Sequence, residues 1–355
     1  MENLNRYNRF WNNKKVFITG HTGFKGSWLS IMLNMFGSKI YGYSLKPKKF
    51  SLFNQANCKT FLKKNIYGDI NNYNFLKKEL KKISPQILFH LAAQPLVSES
   101  YKNPVVTLKT NIIGTSNILD ILMNIKSLKS VVIITTDKVY KIKKNNKSYS
   151  EIDQLGGKDP YSISKVCAEL VTETFENSFF KRSFLKNRVS TARSGNVIGG
   201  GDYSKNRLLP DIVKSINLKK PVIIRNPNHI RPWQHVIEPL VGYMDLAEKQ
   251  FKTKKLDNYN AWNFGPKKNN FVKVINIVNF LKKKFNFHIK IIKKKKFNET
   301  KVLKLSSKKS NKKLNWTNKW NLKKSLNKVM EWNELFNKNV KAKQICENQI
   351  VEYFK

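Results

Sequence analysis

The chain has 355 residues, 68 of them Lys or Arg against 23 Asp or Glu, giving a formal net charge of +45. That length allows one large or two modest domains with a full core, and no disorder-like composition dominates it. The charge suggests nucleic acid, but the lysines are scattered through every segment, as in Asn12-Asn13-Lys14-Lys15 and Lys143-Lys144-Asn145-Asn146; this argues for a bias of solvated side chains and against a dedicated nucleic-acid footprint.

An anionic small substrate is still favoured by such a field. Cys58, Cys167 and Cys346 lie far apart, and the five histidines form no His-x-x-x-His pair, so the sequence predicts a reduced cytoplasmic protein without a metal site. The amino terminus is polar and no apolar run approaches the roughly 20 residues of a membrane span, so a soluble, unexported protein is expected.

In chain order, Val16-Phe17-Ile18-Thr19 predicts a short β-branched strand, followed by Gly20-His21-Thr22-Gly23-Phe24-Lys25-Gly26 and an apolar-faced helix from Ser27. A glycine-punctuated turn between a strand and a helix is the setting of a dinucleotide fingerprint, with helix N-terminal amides facing a pyrophosphate. Ser38–Ser44 predicts a second strand, yet no acidic residue follows it to bond a ribose. Lys46, Lys48 and Lys49 follow instead, so local chemistry leaves a 2′-phosphate open. Tyr67-Gly68-Asp69-Ile70 suits a loop at the adenine end of a cofactor, although Asp69 equally suits a turn or helix cap.

Gln86-Ile87-Leu88-Phe89-His90-Leu91-Ala92-Ala93 predicts a buried parallel strand whose small terminal residues would admit a flat nicotinamide ribose. A helix over 103–124 and a strand over Ser130–Thr136 complete another repeat, and that strand ends in Asp137-Lys138-Val139-Tyr140. Polar groups at the carboxyl end of a buried strand are where open α/β sheets keep their chemistry. Further on, Tyr161 and Lys165 are four apart in a helical pattern and share a face. An ammonium beside a phenol lowers the phenol's pKa, so the tyrosine can take a proton from an alcohol as hydride leaves.

Thr191–Asp202 predicts a strand running into a glycine-rich loop, and beyond it Arg207, Arg225 and Arg231 recur among prolines. Spaced arginines on stiff loops suit bidentate diphosphate recognition. Ala261–Pro266 predicts a late strand and turn, and Ile289–Lys296 an edge strand. Trp316, Trp320 and Trp332 punctuate a helical end as packing residues, and Asn298-Glu299-Thr300 is a glycosylation sequon without meaning in a cytoplasmic protein.

Taken together, the fingerprint, Thr135-Thr136-Asp137-Lys138-Val139-Tyr140, Gly156–Ser162, Gly195–Asp202 and Arg231–Val236 resemble the extended short-chain dehydrogenase/reductases, the NAD-dependent epimerase/dehydratase family, and within it the CDP-glucose 4,6-dehydratases, over 11–316. The Thr-Asp-Lys run distinguishes that group from dTDP- and GDP-sugar dehydratases, which usually carry Glu at the place of Lys138. The chain departs from the pattern at Tyr203, at Asn228-His229 and at Ser306.

The resemblance implies an α/β fold: a Rossmann-type doubly wound parallel sheet with a smaller C-terminal α/β substrate-binding domain. It implies an NAD-binding domain over 11–190, completed by about 232–265, a nucleotide-sugar-binding domain over 191–231 and 266–340, and a tail over 341–355. NAD would be held by Gly20, Thr22, Gly23, Phe24, Lys25, Gly26, Asp69, Ile70, Leu91, Ala92, Ala93, Thr110, Tyr161 and Lys165. Gln94, Asn196, Arg207, Arg225, Arg231 and His235 would contact a CDP-glucose substrate. In the implied reaction Tyr161, with Lys165, takes the C4 hydroxyl proton and Thr136 bonds that hydroxyl. Asp137 protonates the departing C6 hydroxyl, and Lys138 occupies the C5 base position, where a lysine must be neutral to act. A homodimer or dimer of dimers and a role in deoxysugar synthesis for surface polysaccharide such as O-antigen follow from the same likeness. The alternatives are a nucleotide-sugar 4-epimerase, another nucleotide-hexose 4,6-dehydratase, or a non-catalytic cofactor- or nucleic-acid-binding module. Asp137-Lys138 discriminates against the epimerase, which has no leaving hydroxyl to protonate.

Overall fold

The structure, a computed structural model, describes residues 2–142, 147–253, 261–292 and 300–355. The lysine-rich stretches 143–146 and 293–296 and the first two sequon residues lie outside them.

After α1 (Glu2–Trp11), β1 (Lys15–Thr19), α2 (Phe24–Met35), β2 (Lys39–Ser44), the short α3 (Leu52–Gln55), β3 (Lys64–Tyr67), α4 (Tyr73–Ile83) and β4 (Ile87–His90) alternate strand and helix. Helices α5 (Val97–Lys102), α6 (Pro104–Leu108) and α7 (Gly114–Leu122) lead to β5 (Ser130–Ile134), α8 (Pro160–Ser178) and β6 (Val189–Ser194). A π turn over Lys109–Ile113 joins α6 to α7, so the predicted single helix over 103–124 is continuous but widened where Asn111 turns toward α8.

Short strands β7 (Val197–Ile198), β8 (Val222–Ile224), β9 (Ile230–Pro232) and β10 (Gln234–His235) follow, with α9 (Leu208–Asn217) among them. Then come α10 (Ile237–Lys252), β11 (Ala261–Phe264), β12 (Phe271–Lys273), α11 (Val274–Lys282), β13 (Ile289–Ile291), α12 (Lys308–Leu314), α13 (Leu322–Asn337) and α14 (Ala342–Phe354).

Among the described residues the main sheet has seven strands in the order β11-β6-β5-β4-β1-β2-β3, and every pairing is parallel. Chain order reverses between β1 and β4, and that switch point is where doubly wound sheets open a crevice at their carboxyl edge. Burial on both faces explains the nearly continuous apolar runs of β4 and β5, all of whose residues are buried. One face is covered by α2, α10, α14 and the tryptophans Trp11, Trp28 and Trp262; the other by α4, α7 and part of α8.

A third core, with Leu209, Ile212, Val222, Ile224, Ile277 and Val329, ties α9, α11 and α13 to the short strands. Strand β6 runs through the expected boundary at 190–191 as part of the main sheet. The segment 341–355, expected as a tail, contains α14, whose Ile345, Cys346, Ile350, Tyr353 and Phe354 are buried against the main core. Strand β13 pairs with β8 as a two-stranded edge, and the remainder of that predicted strand falls outside the described residues. Trp316, Trp320 and Trp332 are at most 4% exposed and pack as expected. No described helix is long and apolar enough to cross a membrane.

Candidate active site

A cavity of about 1090 Å³ opens at the carboxyl ends of the parallel strands. Its wall begins at the fingerprint. Gly20 adopts φ +75°, and a Cβ there would stand 2.6 Å from the Ala92 amide nitrogen. A Cβ on Gly26 would stand 2.2 Å from the Gly20 carbonyl oxygen. Both absences let the β1 turn and the first turn of α2 close onto the end of β4, leaving a backbone cradle that side chains would fill.

Phe24, Lys25 and Gly26 line the cavity in the first turn of α2. The leading N–H groups of a helix have no helical acceptor and carry its positive dipole end, so the cradle fits a diphosphate-bridged dinucleotide. Thr22, Gly23, Asp69, Ile70, Leu91, Ala92, Ala93 and Thr110 share the wall. Asp69 has both roles weighed for it: its Oδ1 accepts from the backbone and side chain of Asn71 at 2.8 and 2.9 Å, while the residue also faces the cavity. The cap of α4 is Asn72.

Beyond the end of β5, Thr136 caps a 3-10 turn over Asp137–Val139, which presents Asp137 and Lys138 to the cavity. Asp137 is 3% exposed; Thr136 donates to its Oδ1 at 3.2 Å, and among the described residues its Oδ2 has no hydrogen-bond partner. Burial raises the Asp137 carboxyl above the usual carboxylate range, against the pull of Lys138 and Arg231. The shift is toward the protonated form, the one that can donate.

Helix α8 begins at Asp159, whose side chain accepts from the Ser162 amide, and this cap aims Tyr161 and Lys165 at the end of β5. Burial pushes the Tyr161 phenol up to about 12, with a Thr136 hydrogen bond and then the Arg207 charge working to lower it. The Arg207 charge also reaches the phenol, which the spacing of Tyr161 and Lys165 did not reveal. Lys165 donates to the Ile134 carbonyl at 3.0 Å, and burial brings its pKa down to about 8 against the opposing charge of Glu169.

The opposite wall contains Asn196, Arg207, Arg225 and Arg231. Each arginine is held: Arg207 by Asp202 at 3.1 Å, Arg225 by Asn206 at 2.7 Å, and Arg231 beside His229 Nδ1 at 2.9 Å. Tyr203 donates to Gln55 at 2.6 Å, clasping this wall to α3, and the backbone of Ser306 donates to the Tyr149 carbonyl.

Two expected substrate contacts are not in this cavity. Gln94 donates to Leu96 O and Thr107 Oγ1 and accepts from the Leu96 amide, so its amide is spent on closing its own loop. His235 is fully buried between Trp28 and Trp320, and burial holds it down to about 3. Its place in an Arg-Pro-Trp-Gln-His run suggested a contact, but the short strand alternates its side chains and sends this ring inward.

Sequence reasoning missed Ser194 and Tyr243. Lys25 donates to Ser194 Oγ at 2.8 Å, and the Tyr243 hydroxyl also donates to it at 2.8 Å. Burial, followed by the Arg207 and Lys165 charges, lowers Lys25 to about 7. Tyr243 lies on α10, far along the chain, and carried no local signal.

A doubly wound parallel sheet, a glycine cradle at β1 and a Tyr-x-x-x-Lys helix beside the end of β5 define an extended short-chain dehydrogenase/reductase. The family model described as GDP-mannose 4,6 dehydratase matches residues 17–329, and the chain belongs to that family. It is 40% identical over 331 residues to the CDP-glucose 4,6-dehydratase of Salmonella typhimurium, covering 92% of each chain. Its fold is similar to the dTDP-glucose 4,6-dehydratase of Bacillus anthracis in complex with NAD (TM-score 0.76, 19% identity, 90% of this chain and 96% of that one). It is equally similar to the UDP-glucuronic acid 4-epimerase of Bacillus cereus (TM-score 0.76, 21% identity, 91% and 99%).

Proposed function

We propose that this chain is a CDP-glucose 4,6-dehydratase, converting CDP-D-glucose to CDP-4-dehydro-6-deoxy-D-glucose and water with NAD as resident cofactor. The observation that carries the reading is a buried acid, Asp137, in one cavity with Tyr161 and Lys165. A 4-epimerase has no hydroxyl to expel and no use for that acid. Identity of 40% along nearly the whole length of a relative with this activity supports the same substrate.

The cradle of Gly20, Gly23 and Gly26 and the first turn of α2 would hold the NAD diphosphate, and NAD+ bound there would supply the acceptor for the C4 hydride and the donor that returns it to C6. Tyr161 takes the C4 hydroxyl proton at its phenolic oxygen while Thr136 orients that hydroxyl. The C4 ketone acidifies C5–H, and Lys138 takes that proton. Asp137 gives its proton to the departing C6 hydroxyl, which leaves as water, and Lys138 returns its proton to C5. The proton gained by Tyr161 balances the one lost by Asp137, its passage back to Asp137 resets the site, and there is no net oxidation. Arg207, Arg225, Arg231 and Asn196 would hold the nucleotide diphosphate.

The protein is further proposed to act in the cytoplasm as a homodimer through α6 and α8. Val105, Val106, Ile163 and Leu170 on these helices are exposed. Incubation with CDP-, dTDP-, UDP- and GDP-hexoses tests the assignment: 4-keto-6-deoxy product from CDP-glucose is expected. A galactose-configured isomer would establish the epimerase, and product from another nucleotide alone would reassign the substrate.

A further inference from the structure

Behind the cavity lies a buried ion pair that the proposed reaction does not use. Glu169 stands one turn after Lys165 on α8, two turns after Tyr161, on the same face. Arg193 of β6 is fully buried and grips it bidentately, Nε to Oε1 and Nη2 to Oε2, both at 2.9 Å. Thr191 donates to the same carboxylate at 2.6 Å, and so does Thr135 at the end of β5. The other face of Arg193 reaches the Tyr140 hydroxyl at 2.9 Å and the Glu151 carbonyl.

The last residue of β5 and the residue after it are therefore tied to consecutive turns of α8. Lys165 donates to the Ile134 carbonyl, and Thr135 donates to Glu169. The next residues along are Thr136, Asp137 and Lys138, so these two bonds set how the acid turn faces Tyr161. A buried carboxylate is costly unless every lone pair is used, and replacing such a pair with apolar residues is often neutral for stability. Something other than stability is a reason to keep it.

We propose that Glu169 is a positioning residue for the reaction: clamped by Arg193, its carboxylate supplies the counter-charge of the Lys165 ammonium and locks α8 against the ends of β5 and β6. This rests on the reading in which Tyr161 and Lys165 handle the C4 proton. The charged and titratable groups around Lys165 are Glu169 and Tyr161 on α8, Lys25 from α2, His90 from β4 and, behind Glu169 and paired with it, Arg193 from β6. Of these, Lys25 shares the sign of Lys165, and burial holds the His90 ring down to about 3, uncharged at neutral pH. Glu169 is the group that favours the ammonium. Burial works against the Glu169 charge, but Arg193 and the bonds from Thr135 and Thr191 outweigh it and hold the carboxyl below its usual range.

The test compares Glu169→Gln, which keeps shape, with Glu169→Asp, which keeps charge, and with the apolar double variant Glu169→Leu/Arg193→Met. The readouts are kcat and KM for CDP-glucose across pH and, separately, the pH midpoint of Lys165 acetylation by trace acetic anhydride, followed by peptide mass spectrometry. Glu169→Gln, which leaves Arg193 unpaired, is expected to lower the Lys165 midpoint by about one pH unit, and the double variant, which removes both charges, to lower it by less; both are expected to lower kcat by about tenfold or more, with KM within about twofold. Glu169→Asp is expected to keep the midpoint. A purely structural role predicts the reverse order, with the isosteric Gln closest to the parent, and that result, or a folded double variant with parental midpoint and kcat, overturns the proposal. A parent that fails to turn over CDP-glucose would instead overturn the dehydratase reading, and the acetylation midpoints would still decide the role of Glu169.

Discussion

The two walls of the cavity are built by opposite means. The wall proposed to hold NAD is made of backbone: missing Cβ atoms at Gly20 and Gly26 and the first turn of α2. The wall proposed to hold the sugar nucleotide is made of long side chains that already hold one another, Arg207 with Asp202, Arg225 with Asn206 and Arg231 with His229. A backbone cradle is preorganised by covalent geometry and pays little to bind. Charged side chains in mutual bonds are also preorganised, but a diphosphate must join or displace those bonds, so affinity there is a difference between two sets of contacts.

The largest effect is expected where the backbone wall is broken. In Gly26→Ala the new Cβ meets the Gly20 carbonyl and the His21 Cα, both backbone atoms that cannot swing aside. NAD+ affinity by calorimetry is expected to fall by about a hundredfold. If affinity holds, the cradle is not the binding wall.

On the side-chain wall a smaller loss is expected. Arg207→Gln is expected to raise KM for CDP-glucose by about tenfold, the cost of one charge-assisted bond. It also carries a sign. Burial raises the Tyr161 phenol to about 12 and the Arg207 charge works to lower it, so removing that charge raises it further. The acidic limb of the kcat profile, below which Tyr161 keeps its proton, is expected to move to higher pH. An unchanged limb would separate Arg207 from the phenol.

The smallest effect, on stability alone, is expected far from both walls. Glu238 of α10 accepts from the Lys319 and Trp320 amides and the Tyr353 hydroxyl, binding α14 to the main core. Burial raises its carboxyl to about 7, against those hydrogen bonds. A raised carboxyl binds its proton more tightly in the folded state; its stabilisation is full below about pH 4.5 and is lost as pH rises through about 7. His90 and His235, held near 3 by burial, act in the opposite sense between about pH 6.5 and 3. The difference between Glu238→Gln and the parent isolates the carboxyl. In thermal or denaturant unfolding that difference is expected to shift in favour of the variant by roughly 2 to 3 kcal/mol between pH 4.5 and 7.5. CDP-glucose KM is expected to stay parental.

Local order decided what was legible. The fingerprint, the run into Asp137 and the Tyr161-Lys165 pair each lie within one turn or one helix, where spacing alone sets neighbours. The same holds for β4 and β5, whose apolar runs demand burial on both faces. Gln94 and His235 do not line the cavity, because whether a polar side chain faces it depends on what packs behind that side chain. His235 has Trp28 and Trp320 behind it, from helix α2 and from the carboxyl-terminal third of the chain.

By itself, then, the sequence determined the strand–helix alternation, the glycine turn and the acid–lysine run at the end of β5, because period, turn chemistry and burial act over a few residues. The tertiary structure alone decided that the Arg207 charge reaches the Tyr161 phenol, that Lys25 meets Ser194 and Tyr243, and that Glu169 is clamped by Arg193. Those contacts join residues from 24 to more than 160 positions apart, and only the closed sheet brings them within the reach of a hydrogen bond or a charge.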